Sequence, residues 1–285
     1  MTDFSDLLES VRRGTIENGR REFDSETFAK LFDKYREDPI QLLIDQYING
    51  VSLLGLRETH DVKPKHKFAR SILQPLHASV GLDFICLELE SSLQPEIDQY
   101  SATGSENHLR QIIWREKGVL AESSLLQGRV NYGYFDILRE AKRLGIPIIA
   151  IDSHEHDINN ARNEYMVSRI PTKGKGLFYC GGLHVPNVGN ILKTTRDPTE
   201  IHLMNQITEE SLLGENEILF SEALVAKSYS SPVAVNFRKY KDLSRLLNDV
   251  TLMEGFVRDF DSVVYHPSPE VISRILSKVR LMLGG

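Results

Sequence analysis

Apolar and polar positions along this chain follow two rhythms. Over the first 50 residues the period is helical. Phe28, Leu31, Phe32 and Tyr35 recur on one face, and Ile40, Leu42, Leu43 and Tyr47 mark a second helix. Asp24-Ser25-Glu26 supplies a cap for the first. From Val51 onward, short continuous apolar runs alternate with amphipathic stretches. The runs are VSLLGL (51–56), FICL (84–87), IPIIAI (146–151), LFYC (177–180) and SVVY (262–265), with VAVNF (233–237) a weaker candidate. A helix is expected over 65–80, with Phe68, Ile72, Leu73 and Leu76 on one side. Pro75 inside it predicts a kink or break. The stretch 94–128 is polar with helical character. Tyr134, Ile137, Leu138, Ala141 and Leu144 mark another helix, ended by Gly145 with Pro147 behind it. After the last run, Ser268 and Pro269 read as N-cap and first helical residue, and Val271, Ile272, Ile275, Leu276 and Val279 as a buried face.

Continuous apolar strands alternating with amphipathic helices indicate parallel strands covered on both faces. The expected fold is therefore α/β, with a mostly parallel central sheet flanked by helices. The chain of 285 residues is read as one domain, with residues 1–45 as a helical extension and 190–255 as a helical insertion. No internal repeat, low-complexity tract or linker breaks it.

Composition narrows the classes of function. A net charge of −6 argues against a general nucleic-acid binder, which needs basic surface to release counterions. No stretch reaches the roughly 18 apolar residues of a membrane span. The start, MTDFSDLLESVRRGT, has neither the apolar run of a secretory signal nor a Cys for lipid attachment, so a cytoplasmic location is expected. Cys86 and Cys180 sit inside apolar runs and read as reduced core residues.

In open parallel sheets, ligands sit at the C-terminal ends of the strands. After the first run come Arg57, Glu58, Thr59, His60 and Asp61; after the second, Glu88 and Glu90; after the third, Asp152, His154, Glu155 and His156; after the fourth, Gly181, Gly182 and His184; after the last, His266. Carboxylates and imidazoles recurring at one rim are costly to crowd together without a use. Three chemistries suit them. A divalent metal takes His and carboxylate ligands and leaves a position for water. A metal-free hydrolase uses His60 as base with Glu88 to hold or tune it. A haem protein uses His or Tyr on the iron.

At these residues the sequence resembles the ChaN-like branch of the superfamily that also holds erythromycin esterases, TraB proteins and Tiki proteases. Five elements carry the resemblance across about 50–190. They are Glu58-Thr59-His60-Asp61 with His66; LELESSLQPEIDQY, with Glu88, Gln94, Asp98 and Tyr100; the tyrosine-containing helix in NYGYFDILREAKRLGIPIIAI; Arg162 with Met166; and Gly181 to His184. FDSVVYH fits more loosely. The family's first glycine is Arg57 here, with Gly55 two residues earlier. The resemblance implies either haem binding, as in ChaN-like proteins, or hydrolysis, without metal in the esterases and with metal in the Tiki proteases.

The expected activity is water attack on an ester or amide of a small molecule or peptide. His60 is base or ligand, and Glu58 and Glu88 tune it or bind metal. His184 is second ligand or acid, and Arg162 steadies negative charge or pairs with Glu88. The metal set would be Glu58, His60, Glu88 and His184, suited to Zn²⁺, Mn²⁺ or Fe²⁺. The alternative is a haem- or iron-binding protein without turnover. Against these stand plainer readings: a loop histidine at His60, a plain turn at Gly181-Gly182, His66 as a helix-start residue, Tyr134 as core, and His77, His108 and His202 as surface.

Overall fold

A computed structural model describes residues 25–59, 62–121, 132–153, 155, 160–182, 184–208, 224, 227, 229–241 and 259–267. Its helices are α1 (Ser25–Tyr35), α2 (Pro39–Ile48), α3 (Lys63–Val80), α4 (Gln94–Thr103), α5 (Glu106–Ala121), α6 (Tyr132–Leu144), α7 (Asn160–Arg169) and α8 (His184–Thr195). Its strands are β1 (Leu53–Glu58), β2 (Phe84–Glu90), β3 (Ile148–Asp152), β4 (Gly176–Gly181), β5 (Ile201–Thr208), β6 (Val233–Asn236) and β7 (Ser262–His266). The strands form a mostly parallel seven-stranded sheet in the order β3-β2-β4-β1-β5-β7-β6. The α/β fold expected from the apolar runs is the fold observed. Internal contacts divide the chain into two compact units, 40–205 and 1–39 with 206–285.

In the unit 40–205, β1 pairs in parallel with β4 and β5, and β2 with β3 and β4. Helix α3 leads from β1 to β2 past β4, and α4 to α6 lead on to β3 at the edge. The chain then reverses: α7 returns past β2 to β4, and α8 passes β1 to β5. Right-handed crossovers in opposite directions place their helices on opposite faces. Accordingly α3 packs on α6, and α7 on α8. Strand β4 therefore stands between two neighbours, β2 and β1, whose connections leave toward the other face. That is a topological switch point on each side of β4, where a crevice opens at the strand ends.

Several local features differ from the sequence reading. Helix α3 runs unbroken through Pro75. The carbonyl that loses its helical partner there belongs to Ser71, an exposed residue. Strand β1 extends to Glu58 because Arg57 and Glu58 keep their register with Cys180 and Gly181. Strand β2 extends to Glu90, with an irregularity after Leu87, so Glu88 and Glu90 are buried strand residues. Within 190–255, read as a helical insertion, lie the strands β5 and β6. In β5 the buried His202, Asn205, Gln206 and Thr208 masked the strand pattern, and His202, read as surface, is fully buried.

Two devices secure the sheet. Gly55 lies beneath Phe178, whose Cζ would stand 2.3 Å from an added Cβ. At the edge strand β3, the Gln94 amide donates to the Ile148 carbonyl at 2.9 Å and accepts from the Ala150 N–H at 2.8 Å. One side chain thus occupies an edge that would otherwise offer open backbone groups. Gly145 ends α6 as expected, at φ 72°.

In the unit holding 1–39 and 206–285, β6 and β7 form an antiparallel pair. Phe28 and Phe32 of α1 pack with Ile207, Val235, Val263 and Tyr265. Glu37 exchanges backbone hydrogen bonds with Ala234, at 2.8 and 3.0 Å. The helix expected over 271–279 lies outside the described residues.

Candidate functional site

The strand ends at the switch points carry two groups of buried polar side chains. The first gathers on Glu88, at the end of β2. Arg162, from α7, donates through Nη2 to Glu88 Oε1 at 3.3 Å. The same guanidinium grips Asp152 of β3 with both Nε, at 2.6 Å, and Nη2. Glu88 Oε2 accepts from the Gly181 N–H. The pairing of β2 with β4 runs as far as Leu87 with Tyr179, so Glu88 enters the gap where these strands part. His184, the first residue of α8, places Nε2 at 3.6 Å from Glu88 Oε1. Its Nδ1 stands 2.8 Å from Asn163 Oδ1. With a carbonyl oxygen as acceptor, Nδ1 carries the proton, and Nε2 is the nitrogen turned toward the carboxylate. Glu88, Asp152, Arg162, Asn163 and His184 are all buried. A charged group survives burial only when paired, which the shared guanidinium provides for the two carboxylates.

The second group centres on Glu58, at the end of β1, which is fully buried. Tyr134 of α6 donates to Glu58 Oε1 at 3.1 Å. His66 of α3 sets Nε2 3.8 Å from Glu58 Oε2, while its Nδ1 meets the Tyr179 hydroxyl at 3.0 Å. Burial, then the charges of Glu58 and Glu88, hold the Tyr134 phenol well above its ordinary pKa, so it remains a donor. The two groups share one electrostatic neighbourhood: the Cys180 thiol is pushed well up by burial first, and then by Glu88, Glu58 and Asp152. Both cysteines are free and buried, as read from the sequence.

Beside Glu58, the buried Lys65 ammonium donates to Thr59 Oγ1 at 2.7 Å. Arg57 crosses Gly182, where an added Cβ would stand 2.5 Å from its Nε, and donates to Asn205 Oδ1 at 3.2 Å. Arg57 therefore fills the space Gly182 leaves.

Of the residues singled out from the sequence, Glu88, Arg162 and His184 come together, and Glu58 lies in the second group. His60, Asp61, His154 and His156 lie outside the described residues. Among the described residues, no group of three or more His, Cys, Asp or Glu side chains is placed to hold a metal ion. His66, read as a helix-start residue, and Tyr134, read as core, both face Glu58. Asn163 and Tyr179 carried no sequence signal beyond their neighbours; Asn163 follows Arg162, and on a helix adjacent residues do not share a face. Asp152 was visible at a strand end, but its role as Arg162's main partner was not.

The fold and this rim define an α/β protein with a doubly wound parallel segment and a buried polar site at its strand ends. No family model and no curated protein sequence matches the chain. Among solved structures, a succinoglycan biosynthesis protein aligns over 87% of this chain and 98% of its own, at 10% identity and TM-score 0.56. A protein of Bacillus cereus aligns over 86% and 98%, at 11% identity and TM-score 0.52. These similarities establish a shared fold. ChaN of Campylobacter jejuni, solved with cofacially bound haem, aligns over 80% and 91% at 14% identity, with a TM-score of 0.40 that carries no weight for this chain.

Proposed function

We propose that this chain is a hydrolase of the ChaN-like and erythromycin-esterase type, activating water against an ester or amide with His60, Glu88, Arg162 and His184. The arrangement of His184 carries the reading. Asn163 fixes its tautomer, Nε2 turns toward Glu88, and Glu88 is itself held by Arg162 and the Gly181 N–H. An imidazole that donates from Nδ1 to an amide and turns a bare Nε2 toward a carboxylate gains on taking a second proton at Nε2, because the carboxylate then faces a cation, and that proton can pass to a leaving group. His60 is the proposed base for water, His184 the proposed acid for the leaving group, and Arg162 holds Glu88 in place. A divalent cation would use Glu88 and His184 with His60; Glu58, in the second group, does not join them. The cation would lower the pKa of bound water and polarise the carbonyl. His184 Nε2 and Glu88 Oε1, 3.6 Å apart, are the described donors that suit it.

The test combines turnover with content. Wild type and a His60→Ala/His184→Ala variant are assayed against nitrophenyl esters and amides, and metal and haem are measured in both. Turnover lost in the variant supports the reading, and loss of a near-stoichiometric metal with it makes the site metal-dependent. A clean protein that hydrolyses nothing, yet titrates stoichiometrically with haemin to a sharp absorption band, overturns hydrolysis in favour of haem binding.

A further inference from the structure

We propose that His66 is a positioning residue that holds the Glu58 carboxylate at the strand-end site, with Tyr179 and Tyr134 completing the cradle. In its kinetic part this rests on the hydrolytic reading above.

The geometry is that of a directed chain of donors. Tyr134 supplies a hydroxyl to Glu58 Oε1 at 3.1 Å. His66 presents Nε2 to the other oxygen at 3.8 Å, an electrostatic contact longer than a hydrogen bond. A proton on Nε2 attracts the carboxylate, whereas a lone pair there would oppose the carboxylate's own. The neutral tautomer that fits therefore carries its proton on Nε2 and accepts at Nδ1, where the Tyr179 hydroxyl stands at 3.0 Å. Tyr179 thus sets the tautomer of His66, and His66 faces Glu58. Outer partners that fix an imidazole's tautomer in this way govern how it meets its target.

Packing leaves the ring little freedom. The centroid of His66 lies 5.5 Å from that of Tyr134 and 5.8 Å from that of Tyr179, and the two tyrosines are 5.7 Å apart. Gly133 of α6 faces the imidazole so closely that an added Cβ would stand 2.3 Å from its Cγ. All three aromatic rings, and Glu58, are buried. A histidine merely filling space would need neither two hydroxyl-bearing neighbours nor a carboxylate at its far nitrogen.

Two readouts test the proposal, and the first needs no activity. In full-length protein labelled with ¹⁵N at histidine, His66 should show a protonated Nε2 and an unprotonated Nδ1. Tyr179→Phe and Gly133→Ala should each abolish that single-tautomer signature. A wild-type His66 protonated on Nδ1, or averaging between tautomers, overturns the proposal. The second readout is steady-state hydrolysis of a nitrophenyl ester by His66→Gln and His66→Asn. The Gln amide nitrogen reaches the position of Nε2 and should keep kcat within a few-fold. The Asn amide reaches only the position of Nδ1 and should lower kcat by about tenfold or more at little-changed KM. Equal kcat in both variants, with Glu58→Gln inactive, overturns positioning by His66 and leaves the hydrolytic reading standing. Wild type without turnover removes the hydrolytic reading, and the tautomer then decides for or against His66 alone.

Discussion

Replacing Arg162 by Met is the perturbation that most directly probes how the strand-end site is held. Arg162 is buried and bonds Asp152 through two nitrogens and Glu88 through one of them. The methionine fills much of the volume but returns no charge, so two buried carboxylates lose their shared cation. Removing one partner of a buried ion pair destabilises by about 3–5 kcal/mol, because the remaining charge stays desolvated. For a chain of this size each kcal/mol shifts Tm by roughly 2–4 °C, so a drop of about 6–20 °C is expected at neutral pH. The sign of the pH dependence follows. Without the guanidinium, folding favours the protonated carboxyl, so stability present at low pH is lost as pH rises through the carboxylate range. The deficit of Arg162→Met relative to wild type should therefore widen from pH 5 to pH 7. Urea unfolding followed by circular dichroism at both pH values measures it. Adding Asp152→Asn and Glu88→Gln removes the orphaned charges and should recover a large part of the loss. A deficit below about 1 kcal/mol, unchanged between the two pH values, would refute the account, since that is the scale of an exposed pair.

Other consequences are equally specific. Gln94→Ala withdraws both hydrogen bonds from the edge of β3 and should destabilise by about 1–3 kcal/mol in chemical unfolding, with faster hydrogen exchange at Ala150. Gly55→Ala forces a Cβ against Phe178 and Leu203; a loss of about 1–3 kcal/mol is expected, partly relieved by Phe178→Leu. Burial holds the phenols of Tyr47 and Tyr134 well above 10.0, and that of Tyr229 at about 12. A raised folded-state pKa stabilises the fold below the unfolded value and ceases to do so as pH climbs through the folded one. Phenolate absorbance should therefore rise late, and for Tyr47 and Tyr134 in step with alkaline unfolding; full ionisation near pH 10 with the fold intact would contradict their burial.

How much of this was legible follows from what each signal depends on. The parallel strands announced themselves because burial on both faces demands continuous apolar runs, as in Phe84–Leu87 and Leu177–Cys180. Strand β5 did not, because IHLMNQIT carries four polar side chains that are nonetheless buried. Their partners come from elsewhere in the chain, as with Arg57 on Asn205 and His266 on Gln206 at 2.9 Å. Strand ends were placed too early for a related reason. Polarity was read as the end of the strand, whereas Glu58, Glu88 and Glu90 are polar and still inside. Glu88 stood out as a charge after an apolar run and Arg162 through the family resemblance, with an ion pair between them as one of its two readings. The contacts of Asn163, Tyr179 and His66 could not be read in this way, since their use depends on which faces of α7, β4 and α3 meet the rim, and that is a property of topology.

The two buried carboxylates are held by different donors. Glu88 sits where β2 parts from β4, with a guanidinium and a backbone N–H as donors. Both are permanent donors, and hydrogen bonds from a cation and a backbone N–H to a carboxylate are the strong kind. Glu58, at the end of β1, meets a phenol and an imidazole instead of a guanidinium. Carboxylates placed a short way apart in unlike surroundings are the arrangement by which one fold assigns separate roles to chemically identical groups. The difference should appear in paired substitutions. Glu88→Gln leaves the Arg162 charge facing Asp152 alone and should disturb His184, so it should lower both stability and turnover. Glu58→Gln keeps an acceptor for Tyr134 and should lower turnover with a smaller effect on unfolding. If the two variants proved equal in stability, the distinction drawn from their donors would fail.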